Sequence, residues 1–268
     1  MRRSAWLTIP AIMLSILVGC GTSGTAAPPS AALPSLPQGD EPVDLDPAAF
    51  TTEIDNRYWP MEPRSRWTYR EVDADGNELR VVVTATSETR RIANGVTARI
   101  VRDTVTQDGE LIEDTFDWYA QDAEGNIWYL GEDTAEFEDG EITSTSGSFE
   151  AGVDGALPGI VMPAEPRDGM RYRQEYYAGE AEDNGEVLSI EERAEAPFGS
   201  FDGVVLTKDT ITIEPDVLEY KLYSRDVGPV MVIGVAGGGG REQLVDFEMV
   251  DAETARLAGT TPLGEDYA

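Results

Sequence analysis

The chain has no histidine, one cysteine and only two lysines, at positions 208 and 221. Without histidine there is no Ser-His-Asp or Cys-His nucleophile system, and the commonest zinc and copper ligand is missing. A single cysteine cannot form an internal disulfide, so stability rests on packing. Positive charge is scarce as well: 20 Lys and Arg stand against 51 Asp and Glu in 268 residues, a formal charge of −31. That field repels nucleic acid and anionic headgroups, which excludes nucleic acid as a partner, and it favours cations, cationic ligands or basic protein surfaces. It also serves plain solubility.

One long apolar run is present, and it lies at the start. Arg2 and Arg3 precede Ala5 to Val18, which holds Trp6, Leu7, Ile9, Ile12, Leu14 and Ile16. The run is shorter than the ~20 residues of a comfortable membrane span and fits the h-region of a secretory signal. It ends on Leu17-Val18-Gly19-Cys20. This resembles the lipobox of bacterial lipoproteins, and the sole cysteine stands where that motif requires one. The resemblance implies a signal peptide over 1–19 and a diacylglyceryl group on the Cys20 sulfur. It also implies an exported protein anchored by lipid to the outer face of the bacterial cell membrane, or to an outer-membrane leaflet. Two or more acyl chains on one cysteine hold a protein stably. Residues 20–49, spaced by Pro28, Pro29, Pro34, Pro37, Pro42 and Pro47, read as a flexible tether. Fully extended, its Gly21 to Pro47 stretch spans ~80 Å at about 3.1 Å per residue.

The rest divides into a single β-domain over 50–250 and a C-terminal tail over 251–268, with a turn or two of helix between Asp251 and Leu257 and a frayed acidic end. Punctuation recurs at Asp75-Gly76, Asp108-Gly109, Glu124-Gly125 and Asp139-Gly140. Each suits a three-residue hairpin with a G1 bulge, and Asn94-Gly95 suits a two-residue turn. Between them lie β-type runs such as Leu79–Thr86, Val96–Val105 and Leu111–Tyr119. The expected fold is all-β: an antiparallel meander forming a curved sheet, open barrel or sandwich, with little helix. Gly147 to Gly169 breaks the alternation and reads as a long loop that tucks in Leu157, Ile160, Val161 and Met162.

Most of the aromatic mass lies in the hairpin Asp114–Glu132. With Ala123-Glu124-Gly125 as its loop, Ala120 faces Trp128 and Trp118 faces Leu130. Alternation then puts Phe116, Trp118, Ala120, Trp128 and Leu130 on one face, and Asp117, Tyr119, Gln121, Ile127 and Tyr129 on the other. The tryptophan face is expected to be the inner face of the curved sheet, or the wall of a ligand cavity. The ligand-facing candidates are therefore Trp118, Trp128 and Phe116, with Glu150 and Asp154 from the long loop.

Trp67-x-Tyr69, Asp117-Trp118-Tyr119-Ala120-Gln121-Asp122, Gly125-Asn126-Ile127-Trp128-Tyr129, Gly152-Val153-Asp154-Gly155-Ala156 and Val227-Gly228-x-Val230 together resemble an uncharacterised family of bacterial exported β-proteins. The resemblance implies a β architecture and export, and no activity. No residue set stands out as catalytic, and no cofactor is expected. Acidic turns at Asp73–Glu78 and at Glu180, Glu182 and Asp183 leave calcium as the alternative, although the glycine of the first does not fall where an EF-hand loop needs it. Two readings stay open: a membrane-tethered, non-catalytic domain binding a small or extended ligand, and an envelope protein-interaction module with a filled core.

Overall fold

The computed structural model describes residues 35–237 and 240–267. Cys20, the signal and the first part of the tether lie outside the described residues. Among those described there are sixteen strands and one α-helix. In chain order the strands are β1 (Phe50–Thr51), β2 (Ser65–Val72), β3 (Glu78–Arg91), β4 (Thr97–Gln107), β5 (Glu110–Asp122), β6 (Ile127–Glu138), β7 (Glu141–Ser144), β8 (Phe149–Glu150) and β9 (Leu157–Met162). They continue with β10 (Arg171–Arg173), β11 (Glu175–Tyr176), β12 (Asp183–Ala196), β13 (Gly199–Ile211), β14 (Leu218–Ser224), β15 (Gly228–Ala236) and β16 (Arg241–Met249), before the helix α1 (Ala252–Thr260).

Every pairing is antiparallel, and the ladder runs β10-β12-β13-β14-β15-β16-β2-β3-β4-β5-β6-β9-β11. Its two ends, β10 and β11, are consecutive pieces of one stretch separated only by Gln174. The sheet thus curls into a nearly closed, barrel-like form, which removes the exposed edges an open sheet would leave. At this seam Gly159 of β9 comes so close that an added Cβ would lie 2.3 Å from the Gln174 carbonyl oxygen. The Arg173 guanidinium closes the outside, donating to the carbonyls of Pro158, Gly39 and Glu41.

The turns split into two kinds. Asp73–Asn77 and Asp122–Asn126 are the expected three-residue loops, with Gly76 and Gly125 at positive φ. Asp108-Gly109 and Asp139-Gly140 are instead two-residue turns in which both residues have positive φ, the type I′ geometry that suits strand twist best. Asn94-Gly95 errs the other way, since Ile92 pairs with Val96 across three residues.

Three expectations are corrected. The stretch 147–169 is not simply a loop: β8 and β9 within it hydrogen-bond to β6. Its Ile160, Val161 and Met162 are buried as expected. The tether does not run free to residue 49. Leu36, Val43 and Leu45 pack against the core, and Arg173 N–H donates to the Pro37 carbonyl, because the seam offers unpaired donors and apolar cover. The C-terminal tail is not frayed. Asp251 caps α1, Ala255 and Ala258 are buried, and Arg102 of β4 is sealed beneath the chain that follows. Its guanidinium pairs with Asp114 at 2.5 and 2.8 Å and donates to the carbonyls of Ala258, Thr261 and Pro262.

Candidate functional site

The β5–β6 register puts Ala120 opposite Trp128 as expected, but a bulge between Asp117 and Tyr119 takes Trp118 out of the ladder, so the expected Trp118–Leu130 pair does not form. Trp118 and Trp128 are buried, yet they face outward from the barrel. Trp128 meets Phe50 of β1 edge-on at 6.1 Å and donates its indole N–H to Asp122 at 2.7 Å. Trp118 lies under the Arg90 guanidinium, 4.0 Å from the ring centre, and Arg90 in turn pairs with Glu150. Phe116 is half-buried beneath Arg102, and Asp154 is exposed in a turn at positive φ. Of the five candidates the structure therefore joins Trp118 and Glu150 through Arg90, and none of the five lines the interior cavity. The expectation that the tryptophan face is the inner one is corrected: terminal and loop segments cover it from outside, so it is buried without being the lumen.

The lumen belongs to the opposite face. Tyr119, Tyr129 and Glu132 of β5 and β6 meet Asp209, Lys221 and Tyr223 of β13 and β14 around a cavity of about 270 Å³. These strands are not neighbours in the ladder, so the space lies inside it. The lead-in segment before β2 supplies a further wall: Trp59 sits 5.6 Å from the Tyr119 ring and 5.8 Å from the Tyr223 ring. Tyr119 stacks on Tyr129 at 5.0 Å. The segment is anchored by Tyr58, which is held by Arg225, and by Asn56, which donates to the carbonyls of Gly125 and Pro163.

Charge in this interior is strongly one-sided. The cavity walls carry Glu132, Glu175, Asp183, Asp209 and Glu219 against one cation, Lys221. Lys221 Nζ lies 3.1 Å from Asp209 and 3.7 Å from Glu219. Burial pulls its ammonium down, but Asp209, Tyr223 and Glu219 outweigh this and hold it well above its ordinary value. Asp209 is further fixed by Gln174 and Thr207. Away from Lys221 the carboxyls lack a counter-charge. Tyr129 Oη is 2.7 Å from both Asp117 Oδ1 and Glu132 Oε2. Loss of water pushes Asp117 up to about 7, despite the hydrogen bond from Tyr129. Burial and then the charge on Asp117 push Glu132 up to about 8. Glu175 is pushed well up by burial and by its hydrogen bond with Asp183. On β16, burial and the neighbouring Glu71 raise Glu242 to about 8.

Among the described residues no group of three His, Cys, Asp or Glu side chains is arranged to hold a metal ion. In the turn weighed for calcium, Asp73 accepts from the backbone N–H of Asp75 and Asn77 and from the Asn77 side chain.

Comparison with known proteins yields fold likeness alone. No protein family and no curated protein matches the chain. Among solved structures it is similar to a candidate exported protein with a YmcC-like fold from Bacteroides fragilis (13% identity, 72% of this chain and 99% of that one, TM-score 0.43). It is also similar to a candidate lipoprotein from Parabacteroides distasonis (12%, 72% and 99%, 0.39). A β-barrel-like protein of a domain of unknown function from Brucella abortus gives 12%, 70% and 98%, with a TM-score of 0.35.

The lumen residues were missed because Trp118 and Trp128 drew attention to their own face. The missed signal is the doublet. Trp118-Tyr119 and Trp128-Tyr129 put an aromatic on both sides of each strand, and a strand with one wet face has no use for that.

Proposed function

We propose that this chain is an exported, lipid-anchored, non-catalytic β-barrel that binds a small ligand inside its lumen. One observation carries the reading: a cavity of about 270 Å³ lined by Trp59, Tyr119, Tyr129 and Tyr223 and by converging carboxyls. Flat aromatic walls with a few placed polar groups are the usual make-up of a small-molecule site. The aromatic-lined face foreseen from the sequence is kept in kind and moved to the other side of the hairpin. The Cys20 lipid would hold this barrel at the membrane, and the acidic surface would keep it off anionic headgroups.

The test is native mass spectrometry on the whole lipidated protein, extracted in detergent from the envelope of its own host and compared with its denatured mass. A bound small molecule that is lost in Tyr129→Phe or Trp59→Ala supports the lumen site. A native mass equal to the denatured one favours the filled-core interaction module.

A further inference from the structure

We propose that the lumen is an exchange site in which a small organic cation, a protonated amine or quaternary ammonium, replaces a proton held between carboxyls. The inference rests on the lumen-binding reading above and names its ligand class.

A phenol carries one hydrogen, and Tyr129 Oη stands 2.7 Å from two carboxylates, Asp117 and Glu132. It donates to one of them. The other approaches the same oxygen favourably only if it brings a proton of its own. A proton held between the two carboxyls therefore does the work of a cation. The groups facing this pair supply none. Glu113 lies on the same strand, and Asp103 on β4 has an oxygen with no hydrogen-bond partner among the described residues. Glu175 and Asp183 approach from β11 and β12 and lean on one another. Arg99, opposite Tyr119 on β4, is turned to the carbonyls of Thr86 and Thr52. Lys221 is taken by Asp209 and Glu219.

The walls choose among cations. No set of carboxylates has metal-ligand geometry among the described residues, and the space is far larger than a bare ion. Trp59 between Tyr119 and Tyr223 presents ring faces, which attract an alkylammonium through their quadrupoles. Lys221 shows that this interior already accepts an ammonium between carboxylates. The step balances simply: the cation enters with its charge, the proton shared by Asp117 and Glu132 leaves to solvent, and the net lumen charge is unchanged.

The experiment is calorimetric titration of the domain with butylammonium and with tetramethylammonium, in buffers of different ionisation enthalpy, with propionate and glucose as anionic and neutral probes. At neutral pH about one proton should be released per cation bound. Affinity should rise by up to about tenfold per pH unit until the shared proton is gone, the slope equal to the protons exchanged. Glu132→Gln, close in shape, should abolish the release and weaken binding at least tenfold, while Glu186→Gln on the outer face should change neither. Because the proton count is read on the unaltered protein, a folding defect in a variant cannot decide the matter. Cation binding without proton release overturns the exchange. Glucose or propionate binding in place of the cations leaves the lumen a ligand site and overturns the ligand class. Binding of none of the four, by a protein whose native mass also shows no ligand, overturns both readings.

Discussion

At the residue scale the decisive feature is a surplus of interior carboxyls. Asp117 titrates at about 7, and Glu132 and Glu242 at about 8, against roughly 4 for the same groups in an unfolded chain. Between about pH 4 and pH 8 the folded state therefore binds more protons than the unfolded state. Stability from these groups is fully present below the unfolded values and is lost as pH rises through 7 to 8. The melting temperature should fall steadily across that window. Glu242→Gln, uncharged at every pH, should flatten the fall. A melting temperature that climbs with pH would show these groups ionised and paired. Tyr129→Phe removes the one hydroxyl that serves Asp117 and Glu132, and should cost about 1 to 3 kcal/mol in a urea melt, the penalty for an unmet buried polar group. Little of this was legible. Acidic residues are so frequent that Asp117 and Glu132 do not stand out, and which face of a strand turns inward depends on what covers the other.

At the element scale local chemistry was readable and long-range cover was not. Gly76 and Gly125 close the three-residue loops expected of them, since only a residue content with positive φ fits there. The burial of Trp118 and Trp128 was also foreseen. The Tyr119 side is not wet because the sheet closes, and a strand in a closed sheet under outer segments has no wet face. Removing either tryptophan as Trp→Ala should therefore cost about 3 to 5 kcal/mol, and Tyr119→Ala should rank with them, measured by thermal melts of the three. The C-terminal element is under a related constraint. Arg102 is fully buried, and its carbonyl partners come from α1 and the chain beyond it. Ending the chain after Val250 should uncover the Arg102–Asp114 pair and lower the urea midpoint. Arg102→Ala should do worse, by about 3 to 5 kcal/mol, because Asp114 keeps its charge and loses its partner. If the truncated chain melts like the full one, the tail is decoration.

At the scale of the whole molecule the question is what closes the sheet. The alternation of strands and turns was enough to anticipate an antiparallel meander. It could not distinguish a curved sheet from a barrel, because closure is made where β9 meets β10 and β11, and the glycines and prolines around β9 hide its strand character. That seam depends on Gly159. Its added Cβ would lie 2.3 Å from the Gln174 carbonyl oxygen and 2.5 Å from that of Arg173. Both obstacles are backbone, unable to swing aside as a side chain would, and its φ is not in the left-handed region, so any penalty is steric. Gly159→Ala should therefore part β9 from β10 and β11 and cost at least the ~1 to 3 kcal/mol of ordinary overpacking. Gly199→Ala is the matched control, since its Cβ would meet only the Phe201 ring at 3.9 Å. Hydrogen exchange should show β9 and β11 amides opening early in the first variant and unchanged in the second. The lumen should leak as well, because Glu175 and Gln174 line the cavity from this seam, so the raised carboxyls should titrate closer to their ordinary values. Normal protection at β9 together with a lowered midpoint would mean that Gly159 matters only for local packing, and that the barrel is held shut elsewhere.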